Sequence, residues 1–312
     1  MESAPCPLSG SREFTPLMQV PDRFNLSGKP WQLVRSDASG LVMLNPRPAI
    51  DEMAKHYPSD SYDPFLNQTN SRSLRDKAYL AISDLLLAGK ARMVMKGISK
   101  PADATQVLEV GCSTGRLLLK LQKDFGIPTE NFWGIEPDPN AASAARTAGL
   151  AHISATELPN SNIDRRFDRI IFWHALEHLH RIGENLDKAR QLLDADGQLI
   201  IALPNLESQD ARRYGPNWIA IDAPRHIYHF TPDTLEKLLV KHGFSVMEIG
   251  TWLPDTFYNV WYSEKLDREI KRKRFGIGGI VRVALQASKS FLVGRDPKRA
   301  SSIVVRAVRM KG

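Results

Sequence analysis

From residue 106 to residue 308, short apolar runs alternate with stretches whose apolar residues recur at helical spacing. Residues 106–110 (QVLEV) read as a buried strand and 115 to about 125 as an amphipathic helix. Residues 131–136 read as a second strand and 140–148 as an Ala-rich helix. A weak third strand falls at 151–154 and a fourth at 167–173, before a helix over about 183–193. Asp196-Gly197 turns into a strand at 198–203, Thr231 caps a helix to about His242, and 244–250 and 302–308 are the last strands. This alternation predicts a largely parallel sheet covered on both faces.

Upstream the pattern changes. The first 70 residues lack helical periodicity, and 31–34 (WQLV) with 41–44 (LVML) predict a hairpin ended by Pro46 and Pro48. From Ser71 to about Lys96, the spacing of Leu74, Ala78, Ala81, Leu85 and Ala88 predicts a helix, with Gly97 and Pro101 as its stop. The domain reading is an accessory region at 1–70, a linking helix at 71–100 and an α/β domain at 101–312 with a basic insertion at about 264–299.

Composition narrows the class. Of 312 residues 42% are apolar and 25% charged, an ordinary globular balance, and two cysteines exclude a disulfide framework. The start, MESAPCPLSG, has no basic region leading into an apolar core, and no run of about 18 apolar residues exists. A cytoplasmic protein is expected. The net charge of +7 is uneven: residues 263–312 hold 14 Lys+Arg against 4 Asp+Glu. The rest of the chain is slightly acidic, so a whole-domain DNA footprint is not expected.

The sharpest local signal is Glu109-Val-Gly111-Cys112-Ser113-Thr114-Gly115, between a strand and a helix. Glycines there allow a tight turn and close approach of a ligand to the backbone. Glu136 ends the second strand, where a carboxylate can accept both hydroxyls of a ribose. A dinucleotide fingerprint lacks its second and third glycines here, and a P-loop lacks its Lys.

The loop resembles the first motif of the class I S-adenosylmethionine-dependent methyltransferases, acidic-x-Gly-x-Gly-x-Gly, with Ser113 at the middle glycine. The resemblance continues in the fourth-strand segment ending Leu176-Glu177-His178 and in residues 192–205, with Gly197, Pro204 and Asn205. It continues again in Trp218, Pro224-Arg225-His226 and Gly243-Phe244, which is similar to a branch related to ubiquinone-biosynthesis O-methyltransferases. It covers about residues 105–250. It implies a Rossmann-like α/β fold, seven mostly parallel strands in the order 3-2-1-4-5-7-6, with an antiparallel last strand. It also implies S-adenosyl-L-methionine as cofactor and methyl transfer to a small-molecule, saccharide or lipid-linked acceptor, with oxygen favoured. The rivals are a protein that binds the cofactor without catalysis and a membrane-surface or RNA adaptor acting through the basic segment.

By position in the family, Glu109, Gly111, Cys112 and Gly115 border the methionine part of the cofactor and Glu136 with Pro137 the ribose. Thr156, Trp173 and His174 border adenine and the sulfonium, Trp218 faces the acceptor, and Arg225 either holds an acidic acceptor group or pairs with Asp222. Five of the eight histidines lie between 174 and 229. His226 is the preferred catalytic base, since a neutral imidazole removes a hydroxyl proton near neutral pH. His178 reads first as a hydrogen-bonded residue that orders the site, then as a catalytic one, and His174 is the third candidate. The spacing His174-x-x-Glu177-His178 also matches an inverted zinc-protease motif, but it begins at a strand end rather than inside a helix. Some relatives bind a divalent ion through E-x-x-E-H; His174 replaces the first acid, so no metal is expected.

Cys6-x-x-Ser9-Gly10 and Ser36-x-x-Ser39-Gly40 share the spacing of the two knuckles of a zinc ribbon carried by relatives of this branch. One thiolate cannot hold a tetrahedral zinc, so a degenerate ribbon that packs without metal is expected. In the tail, Leu266 and Ile270 begin an apolar stripe continued at Ile277, Ile280, Leu285 and Leu292, with glycines interrupting it. That segment reads as a solvated helical insertion or as a peripheral contact with an inner membrane surface. Acceptor identity and oligomeric state are not legible in the sequence.

Overall fold

The structure is a computed structural model that describes residues 1–57 and 74–310, with side chains at 1–57 and 83–310. The predicted start of the linking helix at Ser71, the domain boundary at residue 70 and the side chains of Leu74, Ala78 and Ala81 lie outside the described residues. The strands are β1 (Phe14–Val20), β2 (Trp31–Ser36), β3 (Val42–Leu44), β4 (Val107–Val110), β5 (Phe132–Ile135), β6 (His152–Ser154) and β7 (Phe167–Trp173). They continue with β8 (Leu193–Pro204), β9 (Tyr228–His229), β10 (Phe244–Thr251) and β11 (Ser302–Arg309). The helices are α1 (Leu74–Met95), α2 (Arg116–Phe125), α3 (Pro139–Thr147), α4 (Ile182–Leu192), α5 (Gln209–Tyr214), α6 (Pro232–Lys241), α7 (Pro254–Ile270) and α8 (Gly276–Val293).

Seven strands form one sheet in the order β10-β11-β8-β7-β4-β5-β6. Numbered along the sheet's own chain order from β4, and read from the β6 edge, this is 3-2-1-4-5-7-6. The pairs β4–β5, β4–β7, β5–β6 and β7–β8 are parallel, and β11 runs antiparallel to both neighbours. Every residue of β4 and β7 is buried, so both read as mostly apolar runs rather than alternating ones, with Glu109, Asp168 and Arg169 as buried charged residues within them. Two apolar layers flank the sheet: Leu108, Phe172 and Leu203 face one side, and Val107, Ile171 and Ile200 the other.

A second, four-stranded sheet has the order β1-β2-β3-β9. The hairpin of β2 and β3 is the predicted one, paired Leu33↔Leu44. β1 and β9 were not predicted; β9 is two residues long and pairs Val42↔His229. The early strands are thus completed by a strand from the loop that carries His226. The two Ser/Cys turns fold alike: Gly10 N–H donates to Cys6 O at 2.7 Å and Gly40 N–H to Ser36 O at 2.8 Å. Both glycines have φ of 76°. The turns face each other, with Cys6 Sγ 3.2 Å from Ser39 Oγ and Ser9 Oγ 3.2 Å from Ser36 Oγ.

Capping residues set the helix starts. Asp138 accepts from Ala141 N–H at 2.7 Å, and Thr231 with Thr234 forms a reciprocal capping box. Within α1, Leu85 is exposed while Ala88, Ala91 and Val94 are buried, which shifts the predicted core face of that helix. Leu86 and Leu87 line a cavity, so α1 is apolar on more than one face and its register could not be read from spacing.

Candidate active site

The carboxyl ends of β4 and β7, the loop before β9 and helices α1 and α7 enclose a cavity of about 650 Å³. At one end lies the loop 111–115. Gly111 and Gly115 have φ of 77° and 75°, a region a side chain enters only at a cost. A Cβ at Gly111 would lie 2.8 Å from Ala175 Cβ, and one at Gly115 would collide with Leu150. Among the described residues four non-glycine residues have positive φ, and three of them, Ser113, His174 and Asp222, line this cavity. Such strain persists only where surrounding contacts enforce it, and it clusters at functional sites.

The cofactor-side carboxylates differ in their surroundings. Glu136 accepts from Ser113 N–H at 2.8 Å and Asp138 N–H at 3.0 Å, which fixes both oxygens and leaves each a lone pair. Glu109 is buried, its Oε2 without a hydrogen-bond partner. Burial, with Glu136 adding to it, pushes the Glu109 carboxyl up to about 8, against the pull of the Lys90 ammonium. An orphaned carboxylate oxygen facing a cavity fits the ammonium of an amino-acid moiety, and the Gly111 turn leaves room for it. These residues therefore fit S-adenosylmethionine. Cys112, Trp173 and His174 line the same space, whereas Gly115, Glu136, Pro137 and Thr156 do not. Thr156 is spent on Ser154 Oγ at 2.9 Å.

At the other end the histidines separate by charge. His174 Nε2 lies 2.8 Å from Asp255 Oδ2, and its Nδ1 is 3.4 Å from Glu177 Oε1. Burial would lower its pKa, but Asp255 and then Glu177 outweigh it and raise it to about 9. Asp255 and Glu177 thus favour the protonated ring, so His174 offers a hydrogen-bond donor rather than the lone pair of a base. His178 is pushed down to about 4 by burial and then by His226, and His226 is lowered by burial. Both are neutral.

Their tautomers follow from backbone carbonyls. His226 Nδ1 is 2.8 Å from Ala220 O and His178 Nδ1 is 3.1 Å from Arg225 O, so each Nδ1–H donates and each Nε2 carries a lone pair. Tyr57 OH is 3.0 Å from His178 Nδ1. The two rings meet edge to face with centroids 4.5 Å apart. Glu177 is buried beside them, neither oxygen with a hydrogen-bond partner. Burial opposes its ionisation, but the charged His174 holds it well below the usual carboxylate range. Glu177, His178 and His226 bring one ligand atom each within 4.8 Å of one another. The expectation of no metal rested on sequence spacing alone; the fold adds His226 to Glu177 and His178, so three donors meet where two were counted. The donor set differs from E-x-x-E-H, because position 174 is itself a cation.

One acceptor assignment is corrected, and Arg225 takes the other of its two expected roles, pairing with Asp222. Arg225 is fully enclosed, its guanidinium donating to Asp222 at 2.8 Å, Asp22 at 2.9 Å and His56 O at 2.8 Å. It holds the loop and does not face the cavity. Trp218 is 2% exposed and lies behind the wall formed by Ile219 and Ala220. The residues missed by sequence reasoning are Lys90 on α1, Arg23, and Asp255, Phe257, Trp261 and Tyr262 on α7. Lys90 lies 4.7 Å over the Trp173 ring, and burial lowers its pKa. No motif marks these positions; only the folded chain brings them to the glycine loop.

The sheet order, the glycine loop and the strand-terminal acid define a class I S-adenosylmethionine-dependent methyltransferase. A family described as "Methyltransferase domain" matches residues 75–249, more than half of the chain. The chain belongs to that family. It is 23% identical over 167 residues to a ubiquinone biosynthesis O-methyltransferase of Nitrobacter winogradskyi, covering 50% of this chain and 62% of that relative. It is 22% identical over 174 residues to one of Azorhizobium caulinodans, covering 52% and 67%. The chain thus spans less than two thirds of the first of these relatives. Among solved structures it is similar in fold to geranyl diphosphate C-methyltransferase of Streptomyces coelicolor, with a TM-score of 0.51, 13% identity and coverage of 77% and 85%.

Proposed function

We propose that this protein transfers a methyl group from S-adenosylmethionine to a hydroxyl of a small-molecule or lipid-linked acceptor, with His226 as the base. One observation carries the reading: a single cavity is lined at one end by Glu109 and the glycine loop and at the other by the lone-pair-bearing His178 and His226. Oxygen as the target is supported by the two O-methyltransferase relatives.

When bound, the sulfonium supplies a methyl carbon that is already electrophilic, so alignment accounts for much of the acceleration. Glu109 and the glycine loop orient the cofactor, Glu136 braces that loop through Ser113 N–H, and Trp252, Phe257 and Trp261 give the acceptor an apolar wall. His226 Nε2 takes the hydroxyl proton, and the Glu177 carboxylate stabilises the imidazolium that results. His178, weaker as a base, keeps its Nδ1–H on Arg225 O and holds the pair in register.

The test is transfer of label from methyl-labelled cofactor to small molecules and lipids of a cell extract. An O-methylated product is expected, and His226→Ala should lower kcat by about 10²–10⁴-fold with cofactor affinity kept. Absence of any labelled acceptor would sink the transfer reading, and an unchanged kcat would remove the base.

A further inference from the structure

Helix α8 is apolar on both sides. Gly279, Val283, Ala287 and Ser290 turn inward against the protein. Outward stand Ile277 at 80% exposure, Leu285 at 68% and Leu292 at 79%, with Ile280 and Val281 half exposed between them. A contiguous outward stripe of this kind marks an interaction face. Its surroundings are net cationic: residues 271–295 contain no Asp or Glu and seven Lys+Arg, of which Lys271 pairs with Asp267 and Arg282 with Glu264 on α7, and the run 271–274 is exposed throughout. At 18 residues the helix is about 27 Å long. No described helix is long and apolar enough to cross a membrane.

The charge chooses the occupant. A twofold contact between two copies through this stripe would bring two seven-cation segments together, which is repulsive. An anionic lipid surface takes the apolar stripe below its headgroups and the cations at their level. The cavity opens beside the same helical pair: Phe257 and Tyr262 of α7 line it and are 55% and 40% exposed. Trp261, also lining it, lies 5.2 Å from the ring of Phe275 at the start of α8.

We infer that the outward face of α8, with the cations at 271–274, docks the protein on an anionic lipid surface, and that its acceptor is an amphiphile entering from that surface through the aromatic mouth. The second clause rests on the methyl-transfer reading of the cavity; the first does not.

The experiment is sedimentation of the full chain with phosphatidylcholine vesicles with and without phosphatidylglycerol. Retention on the anionic vesicles only is expected, weakening as salt rises. Leu285→Glu with Leu292→Glu should cut retention at least about tenfold, and replacement of the four cations at 271–274 by Gln should do likewise. Both variants change exposed side chains, and unchanged cofactor affinity by calorimetry would show that they fold. Wild-type protein left in the supernatant, equal retention on neutral vesicles, or a dimer that Leu285→Glu dissociates would overturn docking. So would an RNA that displaces the protein from the vesicles. Loss of cofactor binding in the wild type would overturn the acceptor clause and leave docking intact.

Discussion

Glu109 ends β4 with a buried oxygen that no protein donor meets, and its carboxyl is pushed up to about 8. At pH 7 it therefore holds a proton in the free protein. An ammonium arriving beside it lowers that pKa, so cofactor binding releases a proton. Affinity should rise with pH, by up to about tenfold per unit below 8, and level off above it. Calorimetry in buffers of different ionisation enthalpy should find release of up to about one proton near pH 7. In Glu109→Gln the release should vanish, and an unchanged proton count would assign it elsewhere. Glu109, Gly111 and Glu136 were legible in the sequence because a strand, a glycine turn and a strand-terminal acid sit within one short segment. The charge on His174 was not: it depends on Asp255, 81 residues away on a helix with no motif. The pairing of Arg225 with Asp222 was legible three residues away, whereas its second carboxylate, Asp22, lies 203 residues off.

Among the elements, those with strong periodicity or capping were legible. The strands of the large sheet and helices α2, α3, α4 and α6 fall within a few residues of expectation, except that β8 begins at Leu193 and runs through Asp196-Gly197, where a turn was expected. β1 and β9 were not, because β9 is two residues long and acquires its partners from the N-terminal hairpin. The two Ser/Cys turns carry a prediction of their own. Their matching Gly10 and Gly40 conformations and hydrogen bonds bring Cys6, Ser9, Ser36 and Ser39 together. Converting Ser9, Ser36 and Ser39 together to Cys should yield protein that retains about one zinc, as four thiolates favour tetrahedral coordination. Metal analysis after purification checks this. A folded triple variant that holds no zinc would mean that the turns are not a degenerate ribbon.

For the whole molecule, the acceptor end of the cavity depends on the early chain. Arg225 is enclosed between Asp222 and Asp22, and β9 closes the sheet of β1–β3. Arg225→Ala takes the guanidinium from between two buried carboxylates, leaving Asp22 without its cation and Asp222 with Arg23, and should cost about 3–5 kcal/mol of stability. Denaturant unfolding followed by tryptophan fluorescence measures it, and a loss under about 1 kcal/mol would show the pair to be dispensable. The same connection has a consequence for synthesis on the ribosome. Asp22 precedes Arg225 by 203 residues, so at about 5–20 residues per second the early strands wait roughly 10–40 s for their last partner. During that interval β3 presents an unpaired edge, and the glycine loop forms before the histidine pair it will serve. The protein is therefore born able to order its cofactor end first and its acceptor end last.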